Sequence, residues 1–452
     1  VALMMKSLWA VVPIAIALAA GCGSEAGPVT SEVTIKFLRH DNPNYEKADK
    51  AFFAEYMAAH PGVHIADETV EYQSLSLILN GNLKHDQFAY DLVLIPPSLV
   101  CGFASNLDDV PEDVLTLPMG QNTFFAAPLA GSTCGGKLKG LPVEYNLEYG
   151  GVVVNLDKYQ AKFPGKTPGW TSWAEFIAEA AMLSEFDAAG KPMANGLDIA
   201  AEWPEPVKHL FLSQILQRGG SYWSSTGNTF DFNTQAARDS LADMVKWLSV
   251  DRIMFRELIP MKNTSVPGRL AAGATGFGWG ELGKPLSVMG YLGTWGVPST
   301  VGQLPSGTSW RYDFYAVPPM VGDKHKFIQN SGWAFAVPRT SPNKRIAWDV
   351  ARSLALSPEA MRKWSSVTGA LPALRANATP AAAAANPTLG KVHELLEHGQ
   401  WVGYIPAAAN DTALFAMVNN FFAAAAGEKT IEQALADMQE TANSAIRLHT
   451  GN

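Results

Sequence analysis

The residues of this chain able to do chemistry are carboxylates and indole rings in polar, turn-rich segments, with a few histidines and cysteines. Asp41, Glu144 and Trp295 offer what a sugar requires. Carboxylates accept hydrogen bonds from its hydroxyls, and a ring packs on its CH-rich face. The same rings could box a cation, so a polyamine or quaternary amine is the alternative ligand. Catalytic patterns fail. There is no Gly-x-Ser-x-Gly elbow and no P-loop, and Gly273–Gly280 lacks the strand–helix context of a phosphate loop. His393 and His398 are five residues apart, which turns them about 140° from each other on a helix; a zinc motif needs four. A solvated helix face is the better reading of that segment. Glu144 and Glu148 are the one pair that could suggest a secreted carbohydrate-active enzyme, which needs two carboxyls ~5–10 Å apart. No catalytic residue, metal site or cofactor is assigned.

The elements that must position these residues belong to a long chain. At 452 residues it exceeds the size at which one core keeps growing, so two lobes are expected. Apolar residues make up 47% and charged residues 17%, enough for packed cores. A net charge of −8, with no basic block, excludes a nucleic-acid reader.

Lys6 and the apolar run Leu8–Ala20 read as a secretory signal, too short to span a bilayer. The run ends in Leu18-Ala-Ala-Gly-Cys22, which resembles the bacterial lipobox, so Cys22 is the expected lipidation site and 22–31 a flexible tether. The membrane would then be reached through that anchor only. An ordinary signal peptide cleaved after Ala20 is the other reading. Cys101 and Cys134 remain, an isolated pair that is a disulfide candidate in an exported protein, with two free thiols as the alternative.

Strand, helix and strand patterns alternate along the chain. Glu32–Leu38 alternates like a strand, Tyr45–Ala59 reads as a helix stopped by His60-Pro61-Gly62, and Tyr90–Ile95 is a strand cut off by Pro96-Pro97. Tyr149–Val154 is a buried strand. Helices follow over Trp173–Leu183, Val207–Arg218, Thr234–Ser249, Asn343–Leu356 and Pro358–Ser366, and Thr430–Gln433 forms a capping box opening a last helix. The succession implies α/β lobes built on mainly parallel sheets. Ligands in such sheets sit beyond the carboxyl ends of strands, which picks out the loops at Asp41-Asn42 and Pro97-Ser98.

Taken in order, these segments resemble the extracellular solute-binding family that includes maltose-binding protein. Phe37–Gly62 is similar to its first strand, ligand loop and helix. Gly136–Pro142, Val152–Asn155 and Trp170–Phe176 match its central series, and Gly219-Gly220 with Phe230–Asn233 its turn. Gly283–Met289 with Gly293-Thr-Trp295, then Tyr315–Pro319, Gly332–Val337 and Gly369–Pro372 complete it.

The resemblance implies a two-lobed periplasmic-binding-protein fold of type II, with a hinge and a central cleft. One lobe would comprise 32–143 plus 330–375 and the other 144–329 plus 376–452. It implies a first crossing near Val143–Leu147, with Glu144 and Tyr145 at the cleft mouth and Trp295 stacking on ligand. Gly332, Trp333, Trp203 and Trp401, in loops or at strand starts, are further cleft candidates. Each has a duller reading: Asp41 as a helix cap, Glu144 as a surface charge, the tryptophans as core. Trp170, Trp173, Trp223, Trp247, Trp279, Trp348 and Trp364 are assigned to cores or distal turns. The implied function is ligand capture for an ABC-type importer by a monomer facing the periplasm or cell exterior, with permease subunits as partners.

Overall fold

The alternating stretch Val33–His40 is a strand, and the polar loop after it caps the helix Pro43–Ala59. Asn42 adopts extended backbone, and its Oδ1 accepts from the amides of Asn44 (3.0 Å) and Tyr45 (3.3 Å). Pro43 follows at the helix start, where its missing N–H loses no bond. The cap is therefore Asn42, and Asp41 stands exposed one residue outside it. Other caps follow the sequence closely. Ser172 and Thr234 cap Trp173–Leu183 and Gln235–Ser249. Thr430 and Gln433 bond each other's backbone amides reciprocally through their side chains.

The computed structural model describes residues 32–115, 123–147, 150–199, 205–226, 229–255, 287–302, 304, 306–329, 332–401, 403 and 407–450. The signal and tether segment with Cys22, Glu148, Trp203, Trp279, Gly273–Gly280 and Gly283–Leu286 lie outside them.

Two five-stranded sheets organise the chain. In the first the order is Val63–Val70, Val33–His40, Leu92–Ile95, Ala334–Ala336, Leu141–Pro142, and every strand but Ala334–Ala336 runs the same way. The second runs Tyr312–Ala316, Gly151–Asn155, Ser287–Gly290, Pro192–Asp198, Glu185–Phe186. Here Gly151–Asn155 and Glu185–Phe186 oppose the other three, so this sheet is more mixed than expected. The cause lies in how the chain enters. A strand arriving from the connection between sheets must run away from it, whereas strands presenting loops at their carboxyl ends run toward it. The Glu185–Phe186 strand opposes for a local reason: it is one arm of a hairpin whose Asp187 side chain accepts from the amides of Ala189 and Lys191.

Each sheet has its own core. Phe37, Leu94, Phe335 and Trp348 belong to the first, with Phe53 and Trp364 from helices lying on it. Val152, Leu197, Met289 and Phe211 belong to the second, together with Met417 and Phe421 of the Ala407–Ala425 helix and Met438 of the Ile431–Thr450 helix. A third cluster joins Tyr145, Leu147 and Leu371 to Phe314, Phe327 and Leu396. Between the sheets, Glu144–Tyr145 pairs antiparallel with Leu371–Pro372, and Phe327–Gln329 pairs in parallel with Gly399–Trp401. Cys101 and Cys134 form a disulfide with Cα atoms 5.4 Å apart. Among the described residues no helix is long and apolar enough to cross a membrane.

Candidate functional site

The registers of the first sheet bring four chain segments to one rim. Ala334 lies opposite both Ile95 and Pro142, and Leu38 opposite Val93. The carboxyl ends at His40, Ile95 and Pro142 therefore face the same way as the amino end at Ala334. Asp41-Asn42, Pro97-Ser98, Glu144-Tyr145 and Gly332-Trp333 all follow or precede these ends directly. Ser98 takes its place as the second residue of the short helix Pro97–Val100.

At this rim Glu144 is 1% exposed, which overturns its reading as a surface charge. The Tyr45 hydroxyl donates to its Oε2. Trp333, 8% exposed, stacks on His40 with ring centroids 4.2 Å and planes 9° apart, and its carbonyl accepts from the Val143 amide at 3.0 Å. Gly332 has φ of +82°, and a β-carbon there would collide with the Glu144 carbonyl, so only glycine lets these two strands cross so closely.

Beneath this lies an ion-pair group the sequence reading missed. Arg39 is fully buried, with Nε 3.0 Å from Asp49 and Nη2 3.6 Å from Asp67, and the Trp364 indole donates to Asp49 at 2.7 Å. Burial, assisted by the Arg39 charge, lowers the His40 pKa to about 3, so the ring stacked on Trp333 is neutral. Burial raises the Asp49 pKa to about 6, against the pull of Arg39 and the Trp364 N–H. The signal was present in the strand. Ile35, Phe37 and Arg39 alternate onto one face, while Tyr45, Asp49 and Phe53 share the core stripe of the following helix.

The second sheet presents a matching rim. Its carboxyl ends at Gly290 and Ala316, and the amino end at Gly151, lie together beside the crossing segment that ends at Leu147. Trp295 follows the Ser287–Gly290 strand and is half-buried against the cluster containing Tyr145 and Leu147. A β-carbon on Gly293 would collide with the Trp295 indole nitrogen and lie 2.6 Å from Asn146 Oδ1, which places that ring beside the crossing strand. A small hollow, with room for about one water, is lined by Gly150, Tyr291, Val317 and Phe327 among others.

The structure thus gathers Asn42, Glu144, Gly332 and Trp333 at one rim and sets Trp295 against the crossing. Tyr145 is buried in the crossing ladder, its phenol pushed up in pKa mainly by that burial. Trp401 ends the strand Gly399–Trp401, its backbone paired with Gln329. Among the tryptophans assigned to cores, Trp247, Trp348 and Trp364 are buried, and Trp170, Trp173 and Trp223 pack against the second core. His393–Glu397 is a 3-10 helix with Leu395 and Leu396 buried, and His393 Nε2 lies 2.6 Å from the Ala378 carbonyl, so this is only partly a solvated face. Among the described residues no group of three or more His, Cys, Asp or Glu could hold a metal.

Two five-stranded sheets joined by crossing strands make the two-lobed α/β architecture of a binding protein. The chain belongs to the bacterial extracellular solute-binding proteins, whose family model matches residues 51–391. Among solved structures it is similar to the sugar-binding protein MalE of Xanthomonas citri, at 14% identity over 92% of this chain and 98% of that one, with a TM-score of 0.70. It is likewise similar to the cyclic α-maltosyl-1,6-maltose binding protein of Arthrobacter globiformis, at 20% identity over 92% and 100% with a TM-score of 0.68. The maltotriose-bound MalE domain of Bdellovibrio bacteriovorus matches at 17% identity over 92% and 100%, with a TM-score of 0.67. No curated protein sequence matches.

Proposed function

We propose that this protein is the ligand-capturing subunit of an ABC-type importer, binding a mono- or oligosaccharide between its lobes without chemical change. The observation that carries the reading is the junction itself: a buried carboxylate, Glu144, and an indole fixed by stacking, Trp333, with Trp295 beside the crossing strand. These supply hydroxyl acceptors and flat apolar faces. The named sugar ligands of proteins sharing this fold support the same class. Residues 32–143 with 330–375 would form one lobe and 144–329 with 376–452 the other. Asp41, Asn42, Ser98, Tyr145, Trp203, Gly332 and Trp401 are the further candidates for ligand contact. Ligand would select the closed form, because only there do both rims touch it. A micromolar dissociation constant, about −8 kcal/mol, suits capture followed by release. Export with a lipid on Cys22 would hold the monomer at the membrane beside its permease.

A thermal-shift panel on residues 23–452 tests this with sugars, polyamines and quaternary amines. A ligand at ~100 times its dissociation constant adds about 2.7 kcal/mol, read as a shift of several degrees. The expected result is a shift with one sugar class, lost in Trp295→Ala. A shift with cations alone would replace the sugar with a cation, and no shift at all would remove the carbohydrate assignment.

A further inference from the structure

Where the first core meets the second sheet, one glycine sits too close to its neighbours for any side chain. The helix Pro358–Thr368 belongs to the first core through Met361 and Trp364. It ends at Gly369, whose backbone is left-handed (φ +71°) and whose amide donates to the Ser365 carbonyl at 2.8 Å. Facing that end, the helix Gly296–Gly302 lies against both Pro358–Thr368 and the strand Tyr312–Ala316 of the second sheet. A β-carbon on Gly369 would come within 2.9 Å of the Thr294 carbonyl oxygen and 3.0 Å of the Pro298 ring. Helix termination explains the left-handed backbone, but it does not require this contact. Gly427 follows the helix Ala407–Ala425 with φ of +73°, and a β-carbon there would meet nothing within 4 Å.

The contact falls on the turn that carries Trp295. The Thr294 carbonyl belongs to the planar peptide unit leading into Trp295, so pressure on that oxygen moves the Trp295 backbone directly. The turn has little room to yield. Thr294 is 2% exposed, and its carbonyl accepts from the Val297 amide at 3.3 Å. On its other side Gly293 packs against Asn146 of the crossing segment. Two residues beyond Gly369, Leu371–Pro372 pairs with Glu144–Tyr145. Gly369 therefore stands between the ladder that holds Glu144 and the turn that holds Trp295.

We infer that Gly369 is a positioning residue: its missing side chain lets Pro358–Thr368 seat on the Thr294–Pro298 turn and so fixes where Trp295 stands relative to Glu144. The inference rests on the carbohydrate reading for the ligand, and on the backbone contact alone for the ring. A side chain at 369 would wedge the turn away, and a displaced ring loses contacts to a ligand that Glu144 still holds.

The test compares wild type, Gly369→Ala and Gly427→Ala, with the second variant as the control for left-handed strain in open space. Both should lower the unfolding midpoint by a few degrees, because alanine is strained at either backbone angle. Fluorine NMR of 5-fluorotryptophan-labelled protein, with the Trp295 resonance assigned through Trp295→Phe, reads the ring without any ligand. That resonance should move in Gly369→Ala and stay in place in Gly427→Ala. Titration calorimetry with glucose, mannose, maltose, maltotriose and mannobiose reads the consequence. Gly369→Ala should bind whichever sugar wild type takes about tenfold more weakly, and Gly427→Ala should bind it unchanged. If Gly369→Ala does not fold, Pro298→Ala opens the same contact from the other side without straining residue 369, and should move the same resonance. A Trp295 resonance that stays in place, or that moves equally in Gly427→Ala, overturns the inference and leaves the carbohydrate reading intact. So does a moved resonance with undiminished sugar affinity. A wild type that binds no sugar overturns the carbohydrate reading, and the resonance alone then decides whether Gly369 sets the ring.

Discussion

At the scale of single residues, the buried ion pair Arg39–Asp49 dominates the energetics around the first rim. A charge removed from water needs its partner, and here Asp49 is held by both the Arg39 guanidinium and the Trp364 indole N–H. Asp49→Asn keeps the shape and removes the charge, leaving Arg39 buried with Asp67, at 3.6 Å, as its carboxylate neighbour among the described residues. The expected loss is about 3–5 kcal/mol of stability. Trp364→Phe, which removes one hydrogen bond to a charged group, should lose about 1.5–3 kcal/mol. Urea unfolding of both variants checks this. A loss below 1 kcal/mol for Asp49→Asn would mean that the pair adds nothing beyond its own desolvation. Sequence reasoning passed over these residues because Arg39 and Asp49 are ten positions apart on different elements, and charge in a strand is ordinarily solvent-facing. Helix caps, in contrast, were legible to within a residue, since a cap is written in adjacent side chains. Even there Asp41 and Asn42 compete on type alone, and the proline that follows Asn42 decides between them.

At the scale of elements, what the sequence carried best was helices and their ends. Trp173–Leu183 matches its reading at both ends, and others shift by a residue or two, because caps and apolar stripes are local signals. Sheet direction was carried less well. Nothing within Tyr149–Val154 says that its strand runs against its neighbours; that depends on where the chain crosses between lobes. The disulfide shows the same division. Composition and compartment nominated Cys101 and Cys134, while the fold brings their Cα atoms to 5.4 Å. The bridge ties the segment just after Ser98, at the first rim, to the Thr133–Cys134 strand. With a sequence separation of 33, closing this loop is worth ~3–4 kcal/mol in the chain-entropy model. Reduction, or the double substitution Cys101→Ser with Cys134→Ser, should lower the unfolding free energy by that amount. Guanidinium melts with and without reductant would read it. An unchanged midpoint would mean that the unfolded chain is already compact between these residues.

At the scale of the whole molecule, the two-lobed plan follows from length and from the order of short motifs, none of which is specific alone. The junction between lobes was only half legible. Glu144 and Gly332 fall at the first rim, whereas Trp333 is tied into the first core by a histidine that no pattern singled out. That histidine gives the molecule a defined response to acid. The His40 pKa falls from 6.5 to about 3 on folding, so the unfolded chain binds the extra proton between these values. Its contribution to stability is therefore complete above pH 6.5 and is lost as pH falls toward 3. Asp49 behaves oppositely. Its pKa rises from 3.8 to about 6, so its contribution is complete below 3.8 and is lost as pH rises toward 6. Between roughly pH 4 and 6 the two slopes cancel, and wild type should show little pH dependence from this site. His40→Phe keeps a ring against Trp333 and removes only one of the slopes. At pH 7 the variant should be less stable than wild type or equal to it, by whatever the changed stack is worth. From pH 6 to 4 its standing should improve by up to about 1.4 kcal/mol per pH unit, as wild type alone must hold an imidazole neutral against protonation. Unfolding midpoints at pH 7, 5.5 and 4 measure the difference directly. A gap that stays constant across that range would show that His40 takes up its proton without leaving the stack, and that the first rim is wetter than its burial implies.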